Sequence, residues 1–164
     1  MSSSRNISQA SAQGESESLS LTEAAQFLLN ECRMVLPGIQ SLFGFQLIAV
    51  FNTGFHERLT VNEQHLHLVA IGLIAIAVAF IMTPAAYHRQ AGARQISEGF
   101  IRICTRLLLC SMIPLAFGIC IDFYLVARVL LDGPVVPYLA TALFAVFVGM
   151  WFILPRVLLA PRGR

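Results

Sequence analysis

Asp122 interrupts "AFGICIDFYLVARVL", residues 116–130, a stretch that otherwise reads as apolar helix. A carboxylate costs about 2.5–3.5 kcal/mol at the centre of a membrane helix and less toward its edge, so such a group needs a partner or a purpose. Two chemistries fit. In the first, Asp122 is ionised and structural, held by Arg58 or Arg128 or by the side-chain amides of Gln46 and Asn52. In the second it takes up and releases a proton or a cation, desolvation favouring its neutral form. Arg128 marks the boundary of the segment, and a rise of 1.5 Å per residue puts Asp122 about 9 Å inside it. Gln46, Asn52 and Arg58 reach comparable depths by the same count. With no second acid buried in another span, the structural reading is favoured.

Other groupings are weaker. His56, Glu57, Glu63, His65 and His67 gather around one loop. Their types suit Zn²⁺, but the H-L-H spacing does not place two imidazoles on one helix face as an i, i+4 pair does. Polar caps on the ends of spans explain them more simply, and no metal or other cofactor is expected. Glu31 and Arg33 flank Cys32 but lie two apart, on different sides of a helix. Arg33, Pro37, Gln40 and Gly44 do share a line. That line reads as a snorkelling arginine with interhelical hydrogen bonds, or as a lined entrance to the bundle. The four cysteines, Cys32, Cys104, Cys110 and Cys120, form no C-x-x-C pair and read as small hydrophobes. There is no Gly-rich phosphate loop, no G-x-S-x-G, and no nucleophile with a base beside it, so no enzyme is expected.

The elements that must position these side chains follow from composition. Of 164 residues 57% are hydrophobic and only 12% charged, against about a quarter charged in soluble domains. The mean hydropathy is +0.72. Charge is confined to short segments between four long apolar blocks, which a soluble core of this size cannot hide. The reading is all-α: a polytopic membrane protein of four transmembrane helices and a short N-terminal interfacial helix. A net charge of +2 gives no reason to expect nucleic acid as a partner.

Residues 1–19 read as a disordered Ser-rich tail, 20–160 as the transmembrane domain and 161–164 as a basic tail. Ser20 and Glu23 fit a capping box at the start of the interfacial helix, and Pro37-Gly38 fits a kink into span one, about 34–55. Thr60 and Glu63 make a second capping box ahead of span two, about 65–87. Span three runs about 107–129 with Pro114 inside it, and "DGPVVP" turns the chain into span four, about 135–154. Each is long enough for a hydrocarbon core of about 30 Å. Gly72, Ala75, Ala79 and Thr83 line one side of span two, and Thr141, Ala145 and Gly149 one side of span four. Such small-residue stripes admit close helix–helix approach. All basic residues are arginines. Only Arg58 and Arg128 fall in the loops after spans one and three; the others lie in the N-terminal segment, middle loop and C-terminus. This bias puts both termini in the cytoplasm.

The stretch "LLNECRMVLPGIQSLFGFQLIAVF", with "MTPAAYHR" closing span two, resembles a family of small four-span bacterial membrane proteins classed as a domain of unknown function. Its first span reads N-E-x-R followed by P-G-x-Q-x-L-F-x-F, matched here by Asn30, Glu31, Arg33, Pro37, Gly38, Gln40, Leu42, Phe43 and Phe45. The resemblance covers residues 28–160 and implies a bacterial inner-membrane location and a four-helix architecture, with no established activity. This chain departs from the pattern in its longer Ser-rich tail and in Gln46, where many relatives are more apolar. The leading expectation is a non-enzymatic scaffold or accessory subunit of the inner membrane. It would contact the lipid bilayer, a second copy of itself and another membrane protein. The alternative is an oligomeric, antiporter-like proton or cation pathway through Asp122.

Overall fold

In a computed structural model the backbone is described for residues 2–91, 97–131 and 133–159, and side chains from Ser20 onward except Ala91. The chain forms α1 (Ser2–Val50), α2 (Thr53–Arg58), α3 (Val61–Ala91), α4 (Glu98–Leu130) and α5 (Val135–Val148). A π-helical turn, Gly149–Ile153, joins α5 to α6 (Leu154–Leu159) in one continuous rod. Among the described residues four segments are long and apolar enough to cross a membrane: Ser20–Val50, Val61–Gln90, Glu98–Leu130 and Val135–Leu159. The basic tail, 161–164, lies outside the described residues, as do Arg94 and Asp132.

The first segment differs from expectation. Among the described residues no separate interfacial helix precedes span one: α1 runs through Ser20, Glu23, Pro37 and Gly38 without a break, and the Ser-rich stretch continues its backbone. Proline removes one amide donor but leaves the neighbouring turns able to hold the helix. The break comes later, at Phe51–Asn52, where the Asn52 side chain accepts from the Gly54 amide and starts α2. Thr60 and Glu63 form the expected reciprocal cap of α3, the Thr60 amide donating to Glu63 Oε2 at 2.9 Å and the Glu63 amide to Thr60 Oγ1 at 3.4 Å. The Ser97 hydroxyl caps α4 through the Phe100 amide.

The packing follows a seven-residue period. Buried positions are Ala25, Cys32, Ile39 and Gln46 on α1; His67, Ile74 and Ile81, with Ala70, Ala77 and Pro84, on α3; and Cys104, Ser111, Gly118 and Leu125 on α4. Positions repeating every seven residues keep one seam facing a partner helix, as in left-handed coiled coils. The most extensive contact is α3 against α4, with α1 laid over both and α5 packed on α4. On that outer contact the Phe117 and Phe144 rings lie 4.7 Å apart.

The small-residue stripes stay outside these seams. Gly72, Ala75, Ala79 and Thr83 are exposed, as are Thr141 and Ala145, while Gly149 is half-buried in the π turn. The close approach within the chain is made elsewhere, at Gly118. A Cβ there would stand 2.7 Å from Ile74 Cδ1 and 3.3 Å from the Ala70 carbonyl oxygen.

Candidate functional site

Three polar side chains converge where the seams reach the α1–α3 connection. Gln46 is the next member of the α1 row after Ile39, and His67 the first of the α3 row that continues through Ile74 and Ile81. Asp122 lies one turn beyond Gly118. Because α3 and α4 are antiparallel and Gly118 packs tightly against Ile74 and Ala70, one turn onward along α4 meets one turn back along α3. That is how Asp122 and His67 come face to face.

Gln46 Nε2 donates to Asp122 Oδ2. His67 Nδ1 stands 3.2 Å from Asp122 Oδ1, and His67 Nε2 is 3.0 Å from the Gln46 backbone oxygen. Gln46 and His67 are 4% and 6% exposed, and the Asp122 side chain 16%. The Phe55 ring, 5.1 Å from the imidazole, covers it from α2. Gln46 Oε1 is buried without a hydrogen-bond partner. Asp122 Oδ1 accepts no well-aligned bond either, and its neighbour is the imidazole edge.

These contacts constrain a proton. A backbone carbonyl only accepts, so His67 Nε2 carries hydrogen. Nδ1 then faces a carboxylate oxygen, and two bare lone pairs at 3.2 Å repel. One proton between them resolves this, either on the ring as an imidazolium or on the carboxyl. The pair therefore suits a single shared proton.

Beside the pair lies a cavity of about 580 Å³. Its walls are apolar, with Leu42, Phe45 and Ala49 from α1, Phe55 from α2 and Leu125, Val126 and Leu130 from α4; Gln46, His67 and Asp122 form its polar wall and Asn52 and Arg58 also line it. Phe45, Val126 and Leu130 are exposed on the flank of the bundle and Asn52 and Arg58 at its loop end, so the cavity borders the surface both between α1 and α4 and at the α1–α3 connection.

The residues named from sequence thus divide. Gln46 is bonded to Asp122, whereas Asn52 and Arg58 share only its cavity. Arg128 is not a partner of Asp122: its Nε meets Glu63 Oε1 at 3.2 Å, one turn nearer the end of the bundle. Arg33, Pro37 and Gln40 are exposed and Gly44 half-buried, so that stripe faces away from the seams, and Arg33 borders a separate cavity with Leu36, His88 and Arg89. Asn30, Glu31 and Gly38 are exposed too. Of the histidines, His56 stacks edge-on against Phe55 and His65 is exposed. Among the described residues no three His, Cys, Asp or Glu side chains are grouped to hold a metal. His67, read from sequence as a polar cap, is instead the second titratable group of the site. The signal for it was present: His67 precedes Ile74 and Ile81 by whole heptads.

A family model described as a family of unknown function, DUF6328, matches residues 14–155. No curated protein and no solved structure matches the chain.

Proposed function

From the premise that the chain belongs to this family of unknown function, which supplies no activity to inherit, we propose that it is a non-enzymatic inner-membrane accessory subunit that responds to protons from one side. The observation that carries this reading is the contact between His67 and Asp122, an imidazole and a carboxylate from two different membrane helices, at the wall of a cavity. Ionisable groups inside the membrane are expensive and commonly functional. A pair that holds one proton at one ionisation state and loses it at another changes the local charge by one unit where α1, α3 and α4 meet.

Access is one-sided. Beyond Gly118 the seams continue as an apolar cluster of Cys32, Ile39, Ile74 and Ile81, packed with Leu36, Phe43, Val78 and Leu115. Water and protons reaching the pair from the α1–α3 end meet, among the described residues, that apolar cluster rather than a run of polar side chains. With the arginine bias placing both termini in the cytoplasm, the cavity opens on the outer half of a bacterial inner membrane. The exposed line of Gly72, Ala75, Ala79 and Thr83 favours assembly with a second copy or another membrane protein.

The test joins two measurements on the full chain in lipid. Histidine ¹⁵N spectra should show His67 titrating with both ring nitrogens affected, and Asp122→Asn should move that titration. Proteoliposomes should show neither proton nor Na⁺ flux, for wild type or variant. Flux in the wild type that vanishes in an equally stable Asp122→Asn would make the site a conducting relay and overturn the accessory reading.

A further inference from the structure

We infer that the cavity between α1 and α4 is a binding site for a lipophilic ammonium, which exchanges with the proton shared by His67 and Asp122. This deepens the proposal above and rests on it for the shared proton.

Size and lining come first. About 580 Å³ falls in the range of small-molecule sites, which are mostly apolar with a few placed polar groups. One side of the cavity is bordered by Phe45 on α1 and Val126 and Leu130 on α4, all exposed on a helix surface apolar enough to face lipid, and Asn52 and Arg58 border it at the loop end. A ligand would therefore arrive from the hydrocarbon, body first dissolved in it, and needs an apolar chain.

The polar group follows from what the site lacks. Its two unsatisfied buried atoms, Gln46 Oε1 and Asp122 Oδ1, are both acceptors. Gln46 is 4% exposed, so its orphan oxygen is costly to leave bare. A ligand bringing N–H donors matches both, whereas one bringing only acceptors matches neither. Rotation of the carboxylate about its broad terminal torsion presents either oxygen to the cavity.

Charge balances one for one. With the shared proton in place the pair is neutral overall. When an ammonium docks on the carboxylate the proton leaves to water, the pair becomes −1 and the ligand supplies +1. No covalent bond changes. The other charges near the pair are few. Arg58 of α2 lines the cavity, and Glu63 of α3 is joined to Arg128 of α4 one turn nearer the surface; Gln46, from α1, is uncharged. Arg58 makes an anionic amphiphile the rival occupant.

The experiment uses the full chain in nanodiscs with three probes of one chain length: decylammonium, decanol and decanoate. Decylammonium should perturb the His67 ¹⁵N signals and release one proton per ligand bound, read with a pH indicator in weak buffer. Its apparent affinity should fall about tenfold per pH unit below the titration midpoint of the pair, as competition for one site requires. Val126→Trp, which plugs the opening from the helix surface, should abolish decylammonium binding while His67 still titrates. Equal perturbation by decanol, stronger binding of decanoate, or decylammonium binding without proton release would each overturn the ammonium assignment and leave the proton site standing. A His67 that does not titrate at all would remove both.

Discussion

The two halves of the α1–α3–α4 core use the same packing and opposite chemistry. Toward the α3–α4 connection the seven-residue rows hold Cys32, Ile74, Ile81 and Cys104, with Ala25 against Phe100. The polar side chain there, Ser111, returns its hydroxyl to its own helix at the Leu108 oxygen, 2.6 Å away, and asks nothing of a neighbour. Toward the α1–α3 connection the same rows deliver Gln46 and His67 to Asp122 and leave two acceptors unfilled. Helix packing by itself therefore does not require the polar cluster. One half shows that the rows close with apolar and locally satisfied groups, and the other spends stability on groups that can change charge.

The largest effect should come from breaking the pair on one side. His67→Ala leaves Asp122 buried opposite a void, and removing one partner of a buried ion pair costs about 3–5 kcal/mol. Unfolding in detergent should show the loss, and adding Asp122→Asn should recover much of it. Failure to recover would mean that the imidazole acts as packing bulk and that the two halves do not differ in kind.

Next comes the point where the halves meet. Gly118→Val drives a methyl against Ile74 and toward the Ala70 carbonyl, and overpacking of this sort costs about 1–3 kcal/mol. Because Gly118 sets the α3–α4 approach, the same variant should also disturb the His67 ¹⁵N signals, one turn away. A stability loss with unchanged His67 signals would uncouple the site from the seam.

A smaller effect, of opposite sign, sharpens the contrast further. Gln46→Leu, His67→Leu and Asp122→Leu together make the polar half resemble the apolar one. Replacing a whole buried ionic cluster with hydrophobic groups is often neutral or stabilising by about 1–4 kcal/mol. The triple variant should melt no lower than wild type while losing its pH response. A clearly lower melting point would show that the cluster is there for structure.

Least of all should follow from Arg128→Ala. The Arg128 side chain is 40% exposed where it meets Glu63, and pairs of that kind contribute about 0–1 kcal/mol. A large loss would show that Arg128 holds more of the fold than its contact with Glu63 accounts for.

Much of this was legible in one dimension, and the exceptions have physical causes. The apolar blocks, the Thr60–Glu63 cap and the cost of Asp122 depend on local composition and spacing, which a sequence displays directly. The importance of Gln46 to Asp122 was also within reach, since a count of depth brings the two level. His67 was misplaced because it lies two turns from a polar loop and shares its surroundings with His56 and His65. Only the heptad row through Ile74 and Ile81 separates it from them. Arg128 was misassigned for a related reason: spacing says which residues share a face, but not which way that face turns.

What the sequence alone determined is the class of molecule, its helices and the presence of one costly intramembrane carboxylate, because hydrophobic content and helical period are properties of a single segment. Which partner that carboxylate found was decided by tertiary structure. The close approach at Gly118 sets the register of α3 against α4, and that register brings Asp122 to His67. Glu63 takes Arg128, and α1 supplies both an amide and a carbonyl. A contact between residues 55 positions apart has no local signature. It exists because Gly118, with no side chain, leaves room at that level for Ile74 and the Ala70 carbonyl.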